Sequence, residues 1–189
     1  MINNDSIKTL GASNHAKTKR EEHDFYATEP KATILLMEKE KFNNLILEPA
    51  CGQGHMSEVL KSYNYDVIST DLIDRGYGIQ KDFFDYTKWI GDIITNPPYK
   101  IALPFLKHAL NIINTGSKVA LFLRLLFLEG IERGKFFKEF PPKKVYVSSA
   151  RLNCAKNGDF EKYNRQTAMA FAWFIWEKGY KGKPVVDWI

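Results

Sequence analysis

The sequence predicts a doubly wound α/β fold, in which a mostly parallel β-sheet carries helices on both faces. Short apolar segments typical of buried strands, at 45–47, 92–95 and 118–123, alternate with segments whose apolar residues recur at helical spacing. This alternation favours parallel strands joined by crossover helices. The last two strand-like segments, 145–148 and 167–176, have no convincing helix between them. We therefore predict a C-terminal antiparallel hairpin at one edge of the sheet.

The other elements follow from local signals. Gly116 ends an amphipathic helical segment, and Pro141 and Pro142 stop a later one. The polar, irregular stretch 149–166 is predicted to be a long loop, and long loops in compact domains are often functional. In chain order, the predicted elements before this loop and the hairpin are helix 31–39, strand 45–47, helix 55–62, strand 66–72, a short strand near 80–84, strand 92–95, helix 102–113, strand 118–123 and helix 131–140.

Length and composition predict one globular domain. The chain has 189 residues, of which 44% are hydrophobic and 14% aromatic, which is enough for one proper core and short for two. We assign this domain to residues 24–189. Residues 1–23 are polar, include a Lys-Thr-Lys-Arg cluster and lack a sustained hydrophobic period, so they are predicted to form a flexible basic arm.

Charge and cysteine usage narrow the function classes. The net charge of +5 is compatible with a polyanionic partner without requiring one. Cys51 and Cys154 form no CxxC or Cys/His cluster, so neither a disulfide scaffold nor a metal site is predicted. The chain lacks both a run of about 18 apolar residues and an apolar signal core, so we expect a cytoplasmic protein without a membrane partner.

The segment Glu48-Pro49-Ala50-Cys51-Gly52-Gln53-Gly54 connects a predicted strand to a predicted helix. Its two glycines allow a tight turn and let a ligand lie against the main chain. In such a sheet, ligands bind beyond the carboxyl ends of the strands. Because the GxGxxG pattern and the Lys-Ser/Thr pair of a P-loop are both missing, a pyrophosphate cradle is not predicted.

Two acidic positions extend this motif. Asp71 ends the next predicted strand, 17 residues after Gly54, where a carboxylate can accept hydrogen bonds from both hydroxyls of a ribose. Asp82 could accept from an adenine amino group while Phe83 packs on the ring. Taken in this order, the three elements predict a pocket shaped for a nucleoside.

The most specific segment is Asn96-Pro97-Pro98-Tyr99, which directly follows a predicted strand. The prolines fix φ and remove two backbone donors, so the turn is rigid and its carbonyls are free to accept. Asn96 offers a side-chain carbonyl, Pro97 a main-chain one, and Tyr99 a flat ring that can stack on a planar substrate. Two acceptors that hold the N–H groups of an aromatic amine can aim its lone pair outward, so the turn is suited to orienting an exocyclic amine as a nucleophile.

These motifs resemble those of the amino-group DNA methyltransferases, in particular the small phage and prophage adenine-N6 enzymes. Residues 48–54 are similar to the family's cofactor motif, residues 96–99 to its catalytic motif, and residues 24–30 to the upstream motif that contacts the methionine end of the cofactor. The order of the motifs is similar to the gamma arrangement. The resemblance covers about residues 24–99 by motif, and less specifically the strands up to about residue 176.

The resemblance implies a Rossmann-like class I methyltransferase fold, S-adenosyl-L-methionine as the cofactor and DNA as the partner. It implies that Asn96 and Pro97 hold the target amino group, supported by Pro98, and that Tyr99 stacks on the target base. A base inside a duplex cannot reach such a pocket, so base flipping is implied. The implied cofactor site comprises Tyr26, Thr28, Glu48, Pro49, Ala50, Gly52, Gly54, Asp71, Leu72, Asp82, Phe83 and Asn96.

One departure from the larger family members is the lack of room for a separate target-recognition domain. Sequence reading would then fall to the loops 124–135 and 149–166 or to the basic arm, in a monomer or a homodimer. The candidate nucleic-acid contacts are Arg124, Arg133, Lys143, Arg151, Lys156 and Arg165.

The sequence leaves other functions open. The same chemistry could act on adenine in RNA, on cytosine N4 in DNA or on a glutamine side-chain amide in a protein. No appended RNA-binding module or N-terminal helical substrate domain is recognisable, which favours DNA. A non-catalytic cofactor-binding subunit is the alternative from another class, although the motif residues Asn96, Gly52, Gly54 and Asp71 are all present.

Overall fold

The computed structural model describes residues 26–152, 154–156, 158, 160 and 169–189. The predicted basic arm over residues 1–23 and the candidate contact Arg165 lie outside this range.

Ten strands and four α-helices alternate within the described residues. They are β1 (Tyr26–Thr28), α1 (Pro30–Lys39), β2 (Leu45–Glu48), α2 (His55–Ser62), β3 (Asp66–Asp71), β4 (Ile79–Gln80), β5 (Asp92–Thr95), α3 (Ala102–Ile112), β6 (Lys118–Arg124), α4 (Ile131–Glu139), β7 (Lys144–Val147), β8 (Cys154–Lys156), β9 (Phe171–Glu177) and β10 (Val185–Trp188). Short 3-10 helices span Phe83–Asp85, Tyr99–Ile101 and Leu125–Leu128.

Eight strands form the main sheet, in the order β10-β7-β9-β6-β5-β2-β3-β4. The ladders among β2, β3, β4, β5 and β6 are parallel, and β9 runs antiparallel to both β6 and β7. The predicted mostly parallel sheet and the antiparallel pairing of its last segments are therefore confirmed.

The C-terminal end of the sheet is more elaborate than a simple edge hairpin. β9 lies between β6 and β7, and β10 pairs in parallel with the outer side of β7, so β10 forms the edge. The sequence did not reveal β10 because Val185–Trp188 is exposed throughout and lacks the alternation of a half-buried strand.

The core has one layer on each face of the sheet. The apolar side chains of β6 alternate between two clusters: Leu121 packs with Phe105 and Leu106 of α3, whereas Phe122 packs with Leu36 of α1. Because successive strand residues point to opposite faces, a strand covered on both sides reads as a continuous apolar run. This arrangement confirms the predicted helices on both faces.

Two predicted segments differ from the structure. Within the predicted loop 149–166, β8 pairs antiparallel with β1 in a separate two-stranded sheet. The predicted strand near 80–84 is shorter, because Ile79–Gln80 pairs with β3 and Phe83–Asp85 then turns into a 3-10 helix.

In the described part of the chain, no helix combines the length and apolarity needed to span a bilayer.

Candidate active site

The glycine-containing turn after β2 has the backbone geometry that its sequence predicts. Gly52 and Gly54 have φ values of 54° and 84°, a left-handed region that costs other residues energy. A Cβ on Gly54 would lie 2.4 Å from the ring of Tyr77. The amide of Gly54 donates to the carbonyl of Cys51 at 2.8 Å, which closes the turn ahead of α2.

Asp71, at the end of β3, fastens this turn to the neighbouring strand. Its carboxylate accepts hydrogen bonds from the amide of Gly52 at 2.8 Å and from the amide of Ile73 at 3.0 Å. A carboxylate has about four lone-pair sites, so both oxygens retain acceptor capacity for a ligand hydroxyl. Leu72 follows with its side chain 56% exposed, which leaves an apolar surface beside the carboxylate.

Glu48 is a buried carboxyl at the end of β2, only 2% exposed. It accepts a hydrogen bond from the hydroxyl of Ser57, whose oxygen lies 2.5 Å from that of Ser69. Burial raises the pKa of Glu48 to about 8, although the hydrogen bonds from Ser57 oppose the shift. A cation brought next to this carboxyl would favour its ionised form.

The turn of residues 96–99, which the sequence predicts to be catalytic and which we call the catalytic turn, begins where β5 ends. The side-chain amide of Asn96 donates from Nδ2 to the main-chain oxygen of Tyr26 at 3.1 Å. Its Oδ1 is buried and has no hydrogen-bond partner among the described residues. Pro97 is buried and Pro98 is exposed. The amide is therefore anchored by its donor, while its acceptor is left free.

Tyr99 is enclosed by three side chains. Its hydroxyl lies 3.6 Å from the Sγ of Cys154, and the guanidinium of Arg124 sits 4.8 Å from the ring centroid. The ring of Phe171 lies 6.3 Å away. Burial and the neighbouring Cys154 raise the pKa of Tyr99 well above its ordinary value, so the phenol is neutral at physiological pH.

The two-stranded sheet of β1 and β8 brings residues from distant parts of the chain to this turn. Its register pairs Thr28 with Cys154, and Cys154 Sγ lies 4.0 Å from Nδ2 of Asn96. The hydroxyl of Thr28 is buried without a hydrogen-bond partner in the described range. Sequence reasoning missed Cys154, because a single cysteine in a polar segment carries no motif.

The predicted adenine contacts Asp82 and Phe83 lie in different surroundings. Asp82 caps the following 3-10 helix by accepting from the amide of Phe84 at 2.9 Å. Phe83 is 3% exposed and stacks on Phe105 with 4.1 Å between ring centroids. Phe83 therefore belongs to the core and offers almost no exposed surface to a ligand.

The candidate nucleic-acid contacts are not grouped together. Arg124 lies at the carboxyl end of β6, beside Tyr99, whereas Lys143 precedes β7 at the opposite end of the strands and pairs with Glu177 at 2.6 Å. Arg133 lies on α4 and donates from Nε to a main-chain oxygen at 2.5 Å. Arg151 is exposed, and Lys156 lies in β8. Arg124 lies over the ring of Tyr99, in the turn that the sequence predicts to be catalytic.

No protein-family model matches the sequence, and no curated protein sequence matches it. The fold is similar to solved structures of methyltransferases. A proposed RNA methyltransferase from Pyrococcus horikoshii aligns with a TM-score of 0.55 and 14% identity, over 78% of this chain and 81% of that one.

Two other solved structures are similar. A proposed class I S-adenosylmethionine-dependent methyltransferase from Listeria monocytogenes has a TM-score of 0.55 and 14% identity, over 85% of this chain and 64% of that one. The M protein of the type I restriction enzyme EcoKI has a TM-score of 0.52 and 14% identity, over 80% of this chain and 43% of that one. The chain thus spans less than half of the M protein. It has the Rossmann-like fold of the class I S-adenosylmethionine-dependent methyltransferases.

Proposed function

We propose that the protein transfers a methyl group from S-adenosyl-L-methionine to the exocyclic N6 of adenine in DNA. The observation that carries this proposal is the state of Asn96. Its Nδ2 is held by the carbonyl of Tyr26, and its Oδ1 is buried without a partner among the described residues. A buried acceptor without a hydrogen bond costs free energy, so a free one at the end of a strand is best explained by a ligand that donates to it.

The residues present fit the cofactor. Glu48 offers a buried acidic group to the ammonium of the methionine moiety, and the unpartnered hydroxyl of Thr28 is a second polar contact. The left-handed Gly52 and Gly54 keep the turn free of side chains. Asp71 retains acceptor capacity for the ribose hydroxyls. We infer that these residues hold the cofactor, with Tyr26, Pro49, Ala50 and Leu72 lining the same site and Asp82 near its adenine.

The chain's own residues orient the target amine. When bound, the cofactor supplies an electrophilic methyl group on its sulfonium. Oδ1 of Asn96 and the main-chain oxygen of Pro97 accept the two N–H groups and direct the nitrogen lone pair toward the methyl. The nitrogen would take up the methyl group from the sulfonium, which would leave as a neutral thioether, and one amine proton would then pass to water. Positioning and electrostatics therefore carry the catalysis, and no strong general base is needed.

The choice of DNA adenine rests on the motif resemblance and on charge. The net charge of +5 favours a polyanionic substrate, and Arg124 adds a cation at the edge of the catalytic turn. The target base would leave the duplex to reach Asn96, with Tyr99 available to stack on it. Adenine in RNA and cytosine N4 in DNA present similar N–H groups, and the identity of the labelled nucleoside separates them from adenine in DNA. A protein amide presents similar N–H groups too, but its methylation would leave both nucleic acids unlabelled.

Transfer of a labelled methyl group from the cofactor to unmethylated DNA tests this proposal. We expect the wild type to label DNA and Asn96→Ala to lose at least about a hundred-fold in rate, because the amine loses one of its two acceptors. Asn114→Ala is the matched control, since Asn114 is exposed at the amino end of β6, away from the catalytic turn. Equal labelling by Asn96→Ala and the wild type would contradict the assigned role.

A further inference from the structure

Arg124 is the one arginine that the structure brings against the catalytic tyrosine, among the described residues. It is the last residue of β6, the strand that pairs in parallel with β5, whose own end leads into Asn96. The sheet therefore fixes the backbone of Arg124 beside the catalytic turn. Its side chain reaches across to the ring of Tyr99, with 4.8 Å between the guanidinium carbon and the ring centroid.

The guanidinium lies over the tyrosine ring in a cation–π contact. Its Nε is buried and has no hydrogen-bond partner in the described part of the chain. The backbone that follows is anchored, because Leu125 N donates to Ala170 O at 2.8 Å and Phe127 is buried in the core. Because the backbone next to Arg124 is held in this way, its side chain is the part of this residue that can move away from Tyr99.

Two planar groups facing each other form the walls of a slot for a third planar group. A guanidinium stacks on aromatic faces and on nucleobases, and it is more weakly hydrated than an ammonium. A base in contact with both walls needs them roughly 7 Å apart, which is two contact distances of ~3.5 Å. The present 4.8 Å gap is too narrow, so the long arginine side chain would have to lift by about 2 Å when the base enters.

We propose that Arg124 forms the second wall of the base slot, so that the target base stacks between its guanidinium and the ring of Tyr99. This inference rests on the proposed function, because it assumes that a planar base reaches Asn96. It makes Arg124 a residue that recognises the plane of the base, in addition to supplying positive charge. Without substrate, the guanidinium covers the ring and takes the place of the base.

Kinetics of Arg124→Lys and Arg124→Ala separate planarity from charge. Lysine keeps the charge and loses the plane, whereas alanine loses both. If the base stacks on the guanidinium, both variants lose about ten-fold or more in kcat/KM for DNA, the size expected for one lost stacking partner. The affinity for the cofactor and the melting temperature stay near the wild-type values. Wild-type kinetics in Arg124→Lys would overturn the proposal, because charge alone would then suffice.

Binding of DNA that contains 2-aminopurine provides a readout that does not depend on turnover. Stacking quenches the fluorescence of this base analogue, and its fluorescence is therefore already low in the duplex. A base that leaves the duplex and lacks one stacking partner in the protein would brighten more, so we expect brighter fluorescence with Arg124→Lys than with the wild type at saturating protein. If the wild type fails to methylate DNA but this difference remains, the proposed function fails and the slot stands. Equal fluorescence of the two saturated complexes would overturn the slot.

Discussion

The side-chain amide of Asn96 donates to the main-chain oxygen of Tyr26 at 3.1 Å, joining residues 70 positions apart in the chain. This contact gives strand β1 a role in the site beyond its own side chains. It engages Nδ2 and leaves Oδ1 buried, without a hydrogen-bond partner among the described residues. Tyr26 can therefore set the orientation of the Asn96 amide through its backbone, whatever its side chain does.

Asn96→Asp tests this anchoring. The aspartate keeps an acceptor for the target amine but places a carboxylate oxygen against the carbonyl of Tyr26, so β1 loses a hydrogen bond and meets repulsion. We expect kcat to fall about ten-fold or more while the cofactor dissociation constant changes little. Steady-state kinetics and isothermal titration calorimetry check both values. A variant with unchanged kcat would show that the Tyr26 contact does not orient the amide.

Gly54→Ala is expected to destabilise the protein and weaken cofactor binding. The alanine would have φ near 84° and a Cβ 2.4 Å from the ring of Tyr77. Gly116→Ala is the matched control, because Gly116 has φ of 86° and no atom within 4 Å of the added Cβ. In both variants the strained backbone conformation lowers the free energy of unfolding by about 1 kcal/mol, and only in Gly54→Ala does the clash lower it further. Urea denaturation that finds equal losses would contradict the tight packing at Gly54.

The raised pKa of Glu48 leads us to expect a distinctive pH dependence of stability. Its pKa is about 8 in the folded protein, against 4.5 for an unperturbed glutamate. Between these values, the folded protein keeps a proton that the unfolded chain releases, so the free energy of unfolding falls as pH rises and levels off above pH 8. The slope contributed by this group is at most about 1.4 kcal/mol per pH unit. Thermal melting of the protein without cofactor should lose this component in Glu48→Gln.

The affinity for the cofactor should depend on the protonation state of the same carboxyl group. A positively charged ligand beside Glu48 favours the carboxylate, so binding below pH 8 releases a proton and the affinity for S-adenosyl-L-methionine rises toward pH 8. Calorimetry in two buffers with different ionisation enthalpies measures the proton count. Proton release that persists unchanged in Glu48→Gln would assign it to another group.

Replacement of Glu40 is expected to lower the stability of the protein without lowering its activity. Burial alone would raise its pKa, but hydrogen bonds from Lys118, Lys144 and Tyr146 outweigh burial and lower it. These lysines begin β6 and β7, at the end of the sheet away from the catalytic turn. Glu40→Gln should cost about 2 kcal/mol, less than a fully buried ion pair, because both lysines reach water.

Glu132→Gln is the control for Glu40, since its pair with Lys135 at 3.1 Å is exposed on both sides. We expect a loss of no more than about 0.5 kcal/mol there. Equal losses in the two variants, measured by urea denaturation, would remove the distinction between the buried and exposed pairs.

The sequence predicted most of the fold because its strands and helices are strongly patterned. β6 is a continuous apolar run and α3 has apolar residues at helical spacing, and both lie where they were predicted. β10 was not predicted because all four of its residues are exposed. β8 was not predicted because three residues in a polar segment give no periodicity. Both depend on pairing partners that only the folded chain supplies.

The motif residues of the candidate site could be predicted from the sequence, whereas the residues that contact them could not. Asn96 and Tyr99 were recognisable because Asn-Pro-Pro-Tyr after a strand is a rare and chemically specific combination. The stacking of Arg124 on Tyr99 and the thiol of Cys154 beside both motif residues were not, because they arise from contacts across β6, β8 and the catalytic turn. For Phe83, the position in the sequence suggested a contact with a ligand, but the ring packs into the core.

The most direct test of the central claim is mass spectrometry of the nucleosides from unmethylated DNA and from RNA, each incubated with the protein and isotope-labelled S-adenosyl-L-methionine. We expect labelled N6-methyl-2′-deoxyadenosine from DNA, its absence with Asn96→Ala, and its retention with Asn114→Ala. Label that appears only in N4-methylcytosine or only in RNA, or no label from a protein that binds the cofactor, would contradict the assignment of DNA adenine as the substrate.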